Sequence, residues 1–308
     1  MKMDDSDIPA HTLIAVRKQA FHALINAGAL GIFPTPVDQI LSAAKIELAP
    51  DEDFEDGLLD RFKKKFGQMT DAVKRALSKI VGLLDVPAKI IFIERSLHQA
   101  KRTFLKLHET GHAFMPWQME AYSLIEECEQ TLHPDVADQF DREANIFAKE
   151  VLFQCGAFTK EAADSRLRLS TPIDLSKKYG ASIYASVREY VRSHHRACTV
   201  LVLEMPQMCF PLGFTAELRR VEASAEFIRL FGQVQWALSF SPNDPIGALV
   251  PVGGRRASKP RTITLVDANG CEHECLAESF TNTYQVFVLI CPTKALTKTS
   301  ILIPAGLY

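Results

Sequence analysis

His108-Glu109-Thr110-Gly111-His112 gathers two imidazoles and a carboxylate into five residues. At roughly 3.6 residues per turn, histidines four apart share one face of a helix. Both can then grip a single Zn²⁺, while Glu109 points toward the water in the open coordination position as a general base. That is the chemistry of a metal-dependent hydrolase, and in this spacing of a peptidase. The helix it requires is legible around it. Phe104 and Leu107, continued by the small Gly111, form an apolar stripe beside the histidines. No proline interrupts before Pro116, which ends the helix about one turn past His112.

Zinc held by two histidines needs a third protein donor, with the fourth position left open. The segment from Phe140 to Leu152 supplies a second buried helix, because Phe140, Ala144, Phe147 and Val151 fall on one stripe. Glu143 sits at the edge of that stripe and can reach inward, so it is the expected third ligand. Asp141 lies well off the stripe on the other side, and Arg142 points away. Glu150 shares the edge with Glu143 two turns further on and is the runner-up. A donor for a developing oxyanion is also needed, and Tyr122 and His133 between the two helices are the candidates.

Taken together, Arg102-Thr103-Phe104, the pentapeptide His108 to His112 and Glu143-Ala144-Asn145-Ile146-Phe147-Ala148 resemble the ImmA/IrrE metallopeptidases. In that family an R-x-F helix ending in H-E-x-G-H is followed by an E-A-N-x-F-A helix. Leu105 and Leu107 stand where the family often has threonine and a small residue, and neither is a ligand position. The resemblance spans residues 75 to 195. It implies zinc held by His108, His112 and Glu143, with Glu109 as catalytic acid and base. It further implies a regulatory endopeptidase whose protein substrate is a helix-turn-helix transcriptional repressor. The competing expectation is a non-proteolytic zinc-binding regulator that binds DNA or a partner protein. Such a protein would be expected to have lost its general base, yet Glu109 is present.

Composition bounds the rest. With 308 residues the chain can build two sizeable cores. Apolar residues at 47% and charged residues at 23% are those of a globular protein. A net charge of −2 gives no general attraction to nucleic acid or anionic membrane. The polar start Met1-Lys2-Met3-Asp4-Asp5 and the absence of any apolar run long enough to span a bilayer lead to the expectation of a cytoplasmic protein. Seven scattered cysteines, an odd number, fit free thiols. Cys271, His273 and Cys275 would share one face of a strand after the Asn269-Gly270 turn; half-buried thiols explain them as well as a second metal does.

The fold class expected is α+β. Residues 1–197 form a mainly helical, zincin-like metallopeptidase domain, and residues 198–308 a smaller β-rich domain for sensing or substrate docking. Helices are expected from His11 to Leu30, from Pro36 with Thr35 as N-cap, and from Asp71 to Leu83 after a charge-rich connection. Ala88 to Ile93 reads as a strand whose edge could bind an extended peptide. Residues 170–195 outline a helix-turn-helix-like pair around Gly180, but Arg188, Arg192, His194 and His195 make a thin basic face, so direct DNA binding is not expected. Strands are expected at Thr199 to Leu203, Val234 to Phe240, Thr262 to Val266 and Tyr284 to Ile290, and the basic loop Gly253 to Arg261 reads as solvated.

Overall fold

A computed structural model describes residues 8–49, 82–85, 89–93, 96–128, 133–210, 213–254 and 256–293. Among them, no helix is long and apolar enough to cross a membrane. The fold is α+β, and the chain divides into two compact units: Met1–Glu161 with Asp174–Ser182, and Ala162–Ile173 with Ile183–Tyr308. Closing the first domain at residue 197 would keep the helical pair whole. The division instead groups its second helix with the β-rich part.

The first unit is built on three helices, α1 (Ala10–Asn26), α3 (Gln99–Phe114) and α5 (Pro134–Leu152), with α2 (Val37–Ala43) and α4 (Pro116–Cys128) beside them. Val16, Ala20, Ala23 and Leu24 of α1, Leu107 of α3, and Ala144, Phe147, Ala148 and Val151 of α5 make one core. Leu107, Ala144, Phe147 and Val151 are residues whose helical spacing announced the stripes. Gly111 lets α3 and α5 approach closely, since a Cβ there would stand 3.0 Å from Phe147 Cδ1. The ring of Phe147 stacks in turn on Phe114, with centroids 5.6 Å apart.

Three short strands, β1 (Glu47–Leu48), β2 (Gly82–Asp85) and β3 (Ile90–Ile93), form a small sheet in the order β1-β3-β2. β3 is therefore the middle strand, parallel to β1 and antiparallel to β2. β2 takes one edge along the whole strand and β1 takes the other at Ile90 and Ile91, which narrows the edge expected to bind a peptide. Thr35 does not cap α2. Pro36 occupies the N-cap position, and the Thr35 hydroxyl donates to Leu152 O and accepts from Gln154 Nε2 at 2.9 Å. Most of the helix expected from Asp71 to Leu83 lies outside the described residues, and its last two residues are in β2. The charge-rich connection lies outside them too. α6 (Ala157–Ala163) and most of α7 (Ser170–Tyr179) follow. Tyr179 is buried among Phe33, Phe153 and Phe158.

The second unit is a seven-stranded antiparallel sheet in the order β5-β6-β4-β10-β9-β8, with β7 paired to β6. Its strands are β4 (Thr199–Glu204), β5 (Gln207–Cys209), β6 (Gly213–Ala223), β7 (Ser239–Phe240), β8 (Arg261–Val266), β9 (Glu272–Thr281) and β10 (Gln285–Pro292). Helices α8 (Ile183–Ser193) and α9 (Ala225–Phe231) belong to it. Leu201, Leu203, Phe214, Phe227, Val286 and Val288 are among the buried residues of its core. The strand expected from Val234 to Phe240 is reduced to β7, because only Ser239 and Phe240 find ladder partners, on Glu217 and Ala216 of β6. β6, the longest strand among the described residues, carries Glu217, Arg219, Arg220 and Glu222, and those charges disguise its alternation.

Candidate metal centre

Helix α3 presents His108 and His112 toward α5 and α4. The Nδ1 atom of His108 lies 3.1 Å from Asn145 Oδ1, and that of His112 lies 2.6 Å from Gln118 Oε1. An amide oxygen can only accept, so each ring nitrogen must carry a proton and donate it. Both Nε2 atoms are then left as bare lone pairs, and they face each other at 3.3 Å. Burial first of all lowers both imidazole pKa values, that of His108 to about 4, so neither ring carries a proton on Nε2 at neutral pH.

Two lone pairs aimed at one another repel unless a cation sits between them. Nitrogens at about 2.0–2.1 Å from a tetrahedral Zn²⁺ would stand about 3.3 Å apart, which the pair matches. A carboxylate completes the set. Asp141 Oδ1 lies 3.8 Å from His112 Nε2, and the donor atoms of His108, His112 and Asp141 all lie within 4.8 Å of one another. Among the described residues this is the one group of three or more such side chains able to hold a metal ion. Two nitrogens and one oxygen suit zinc, although donor type alone does not fix the metal.

The expected third ligand stands elsewhere. Glu143 is 1% exposed, and its carboxylate is occupied by three donors. Trp117 Nε1 and Gln118 Nε2 each donate to Oε2 at 2.7 Å, and Gln139 Nε2 donates to Oε1 at 2.9 Å. The structure therefore brings Asp141, not Glu143, to the histidines. The physical reason is that facing the core and facing the histidines are different directions on α5. Asp141 and Asn145, one turn apart, share the side that meets α3, at the rim of the core where the Asp141 side chain stays 67% exposed. Glu150, the runner-up, binds Arg17 Nε of α1 at 2.9 Å.

Glu109 is buried on α3 between the two histidines in sequence. Tyr122 of α4 packs its ring against His112, with centroids 6.2 Å apart. Burial, then the charges of Asp141 and Glu109, push its hydroxyl up to about 12, so it remains protonated and able to donate at neutral pH. The other candidate, His133, does a different job. It sits at the N-cap of α5, where its Nδ1 accepts from Asp135 N.

Gln118 and Trp117 were not anticipated. Their only sequence signal is their place just after Pro116, at the start of a helix following the metal motif. Further along, Arg188 and Arg192 of α8 are spent on the buried Glu222 of β6, at 2.7 and 2.5 Å. His273 is held by Asp267 at 2.9 Å, and Cys275 is buried, so the cysteine–histidine strand has a packing role.

Residues 59–187, which include both helices of the site, match the Peptidase_M78 family, described as the IrrE N-terminal-like domain. That segment is similar to a domain of a metallopeptidase family. In particular, the match bears out the resemblance to the ImmA/IrrE metallopeptidases, since the family matched is described as IrrE N-terminal-like. Among solved structures, a Mycobacterium tuberculosis transcriptional regulator is similar at 12% identity, over 90% of this chain and 75% of that one, with a TM-score of 0.43. No curated protein matches.

Proposed function

We propose that the protein is a zinc-dependent endopeptidase acting on a regulatory protein, with His108, His112 and Asp141 as zinc donors and Glu109 as general acid and base. The observation that carries this reading is the pair of facing Nε2 lone pairs at 3.3 Å with a carboxylate beside them. Zinc, when bound, polarises the scissile carbonyl and makes water a nucleophile near neutral pH. Glu109 takes up the proton released by the attacking water and delivers it to the leaving amine. Tyr122, protonated and with its ring against His112, is the donor for the oxygen on which charge develops. Asn145 and Gln118 hold the two rings in orientation.

The substrate implied by the family is a helix-turn-helix transcriptional repressor, and the β-rich unit is a natural place for docking or sensing. The test is to mix the zinc-loaded protein with a repressor encoded beside its gene and follow cleavage. Loss of cleavage in Glu109→Gln, with zinc retained, supports the reading. A non-proteolytic regulator is the second reading. For its DNA-binding form, the arginines that α8 would need for phosphate are engaged with Glu222.

A further inference from the structure

Glu143 sits in the motif where a ligand was expected and yet reaches the site only through another side chain. Gln118 is fully buried. Its Nε2 donates to Glu143 Oε2 at 2.7 Å and to Phe140 O at 3.3 Å. Both neighbours are pure acceptors, so the amide cannot turn round, and its oxygen must face His112. That oxygen takes the Nδ1 proton of His112 at 2.6 Å. The chain of dependence is therefore fixed in one direction: carboxylate, amide, imidazole, open lone pair.

We propose that Gln118 is a positioning residue that locks His112 with its proton on Nδ1 and its Nε2 free for the metal, and that Glu143 acts through it as anchor rather than as ligand. This rests on the zinc-peptidase reading above. A buried carboxylate polarises the amide, and the amide in turn makes the imidazole a stronger donor to the metal. Trp117 and Gln139 hold the anchor still by occupying the rest of its carboxylate. The same three donors make Glu143 a poor ligand, because it would have to release them to turn toward a metal.

The test uses the full-length, zinc-loaded protein, with zinc affinity from chelator competition and the His112 ring state from ¹⁵N NMR. Wild type is expected to show the proton on Nδ1 and the metal on Nε2. Gln118→Met keeps the volume and removes the amide, so zinc affinity should fall about 10–100-fold and the Nδ1 proton signal should be lost or exchange rapidly. Exchanging the groups, Gln118→Glu with Glu143→Gln, restores an acceptor for His112 and a donor beside it. Affinity should then return to within about threefold of wild type, which a purely packing role would not produce. Metal on Nδ1 in wild type, unchanged affinity in Gln118→Met, or no recovery in the exchange variant overturns the proposal. If Gln118→Met does not fold, the wild-type ring state and the exchange variant still decide it. Retention of zinc by His112→Ala would overturn the metal site itself. Zinc loss there, with Gln118→Met unaffected, overturns only the positioning role.

Discussion

Asp141 and Asn145 stand one turn apart on α5, and each meets one histidine of α3: Asp141 Oδ1 lies 3.8 Å from His112 Nε2, and Asn145 Oδ1 lies 3.1 Å from His108 Nδ1. One helix face thus offers a metal donor and the partner that orients the opposite ligand.

The first expectation follows from that face. Asp141→Ala should lower zinc affinity by more than the roughly 10–100-fold that an outer partner costs. Glu143→Gln should lower it by less than Asp141→Ala, since an amide oxygen can still accept from Gln118 although the polarising charge is gone. A chelator titration giving the reverse order would restore Glu143 as the third ligand.

Much of this was legible in the sequence. Both metal helices, the histidine pair and the α+β class follow from periodicity and spacing, because apolar stripes at helical intervals have few other uses. The approach of Asp141 to the histidines was not, since an amphipathic stripe says where the core is and not where the neighbouring histidines point. Gln118 was hidden for a related reason. A neutral amide carries no pattern, and its value lies in partners six and 25 residues away. β6 was masked by Arg220 and Glu222, whose charges are paired on one side of the strand.

Gly111→Ala should destabilise the first unit. The added methyl would stand 3.0 Å from Phe147 Cδ1, against a ring already stacked on Phe114. Overpacking of this kind costs about 1–3 kcal/mol. Urea unfolding measures it, and an unchanged midpoint would mean that α3 and α5 are not so closely packed. Zinc affinity should fall as well, because the two helices carry the donors between them.

Acid should weaken the second unit through His194. The residue is buried, and burial first, then the charges of His195 and Arg196, lower its pKa to about 4. In the unfolded chain it titrates near 6.5. The unfolded state therefore takes up the proton first as pH falls. The stabilising contribution is fully present above about pH 6.5 and is lost progressively down to about pH 4. His194→Gln should reduce the drop in urea midpoint between pH 7 and pH 5. An identical drop in the variant would assign the acid sensitivity to other groups.

Glu222 neutralises a cluster of arginines on α8 and β6, accepting from Arg188 and Arg192 with Arg220 3.4 Å away. Glu222→Gln should cost about 1.5–3 kcal/mol, the scale of hydrogen bonds to charged groups. The hold on Arg188 and Arg192 would weaken, while Arg188 keeps its place over the Tyr184 ring. If the variant gains salt-sensitive affinity for duplex DNA while wild type shows none, the helical pair is a latent DNA-binding element. No gain leaves α8 as a packing helix.

The most direct test of the central claim is cleavage of the neighbouring repressor by the zinc-loaded Glu109→Gln protein. The amide preserves shape but cannot take a proton, so hydrolysis should fall by about 10²–10⁴-fold or more. Zinc content and thermal midpoint should match wild type, placing the defect in the chemistry. Cleavage at near wild-type rate would contradict the account, because Glu109 would not be the base and the peptidase mechanism would lose its proton carrier.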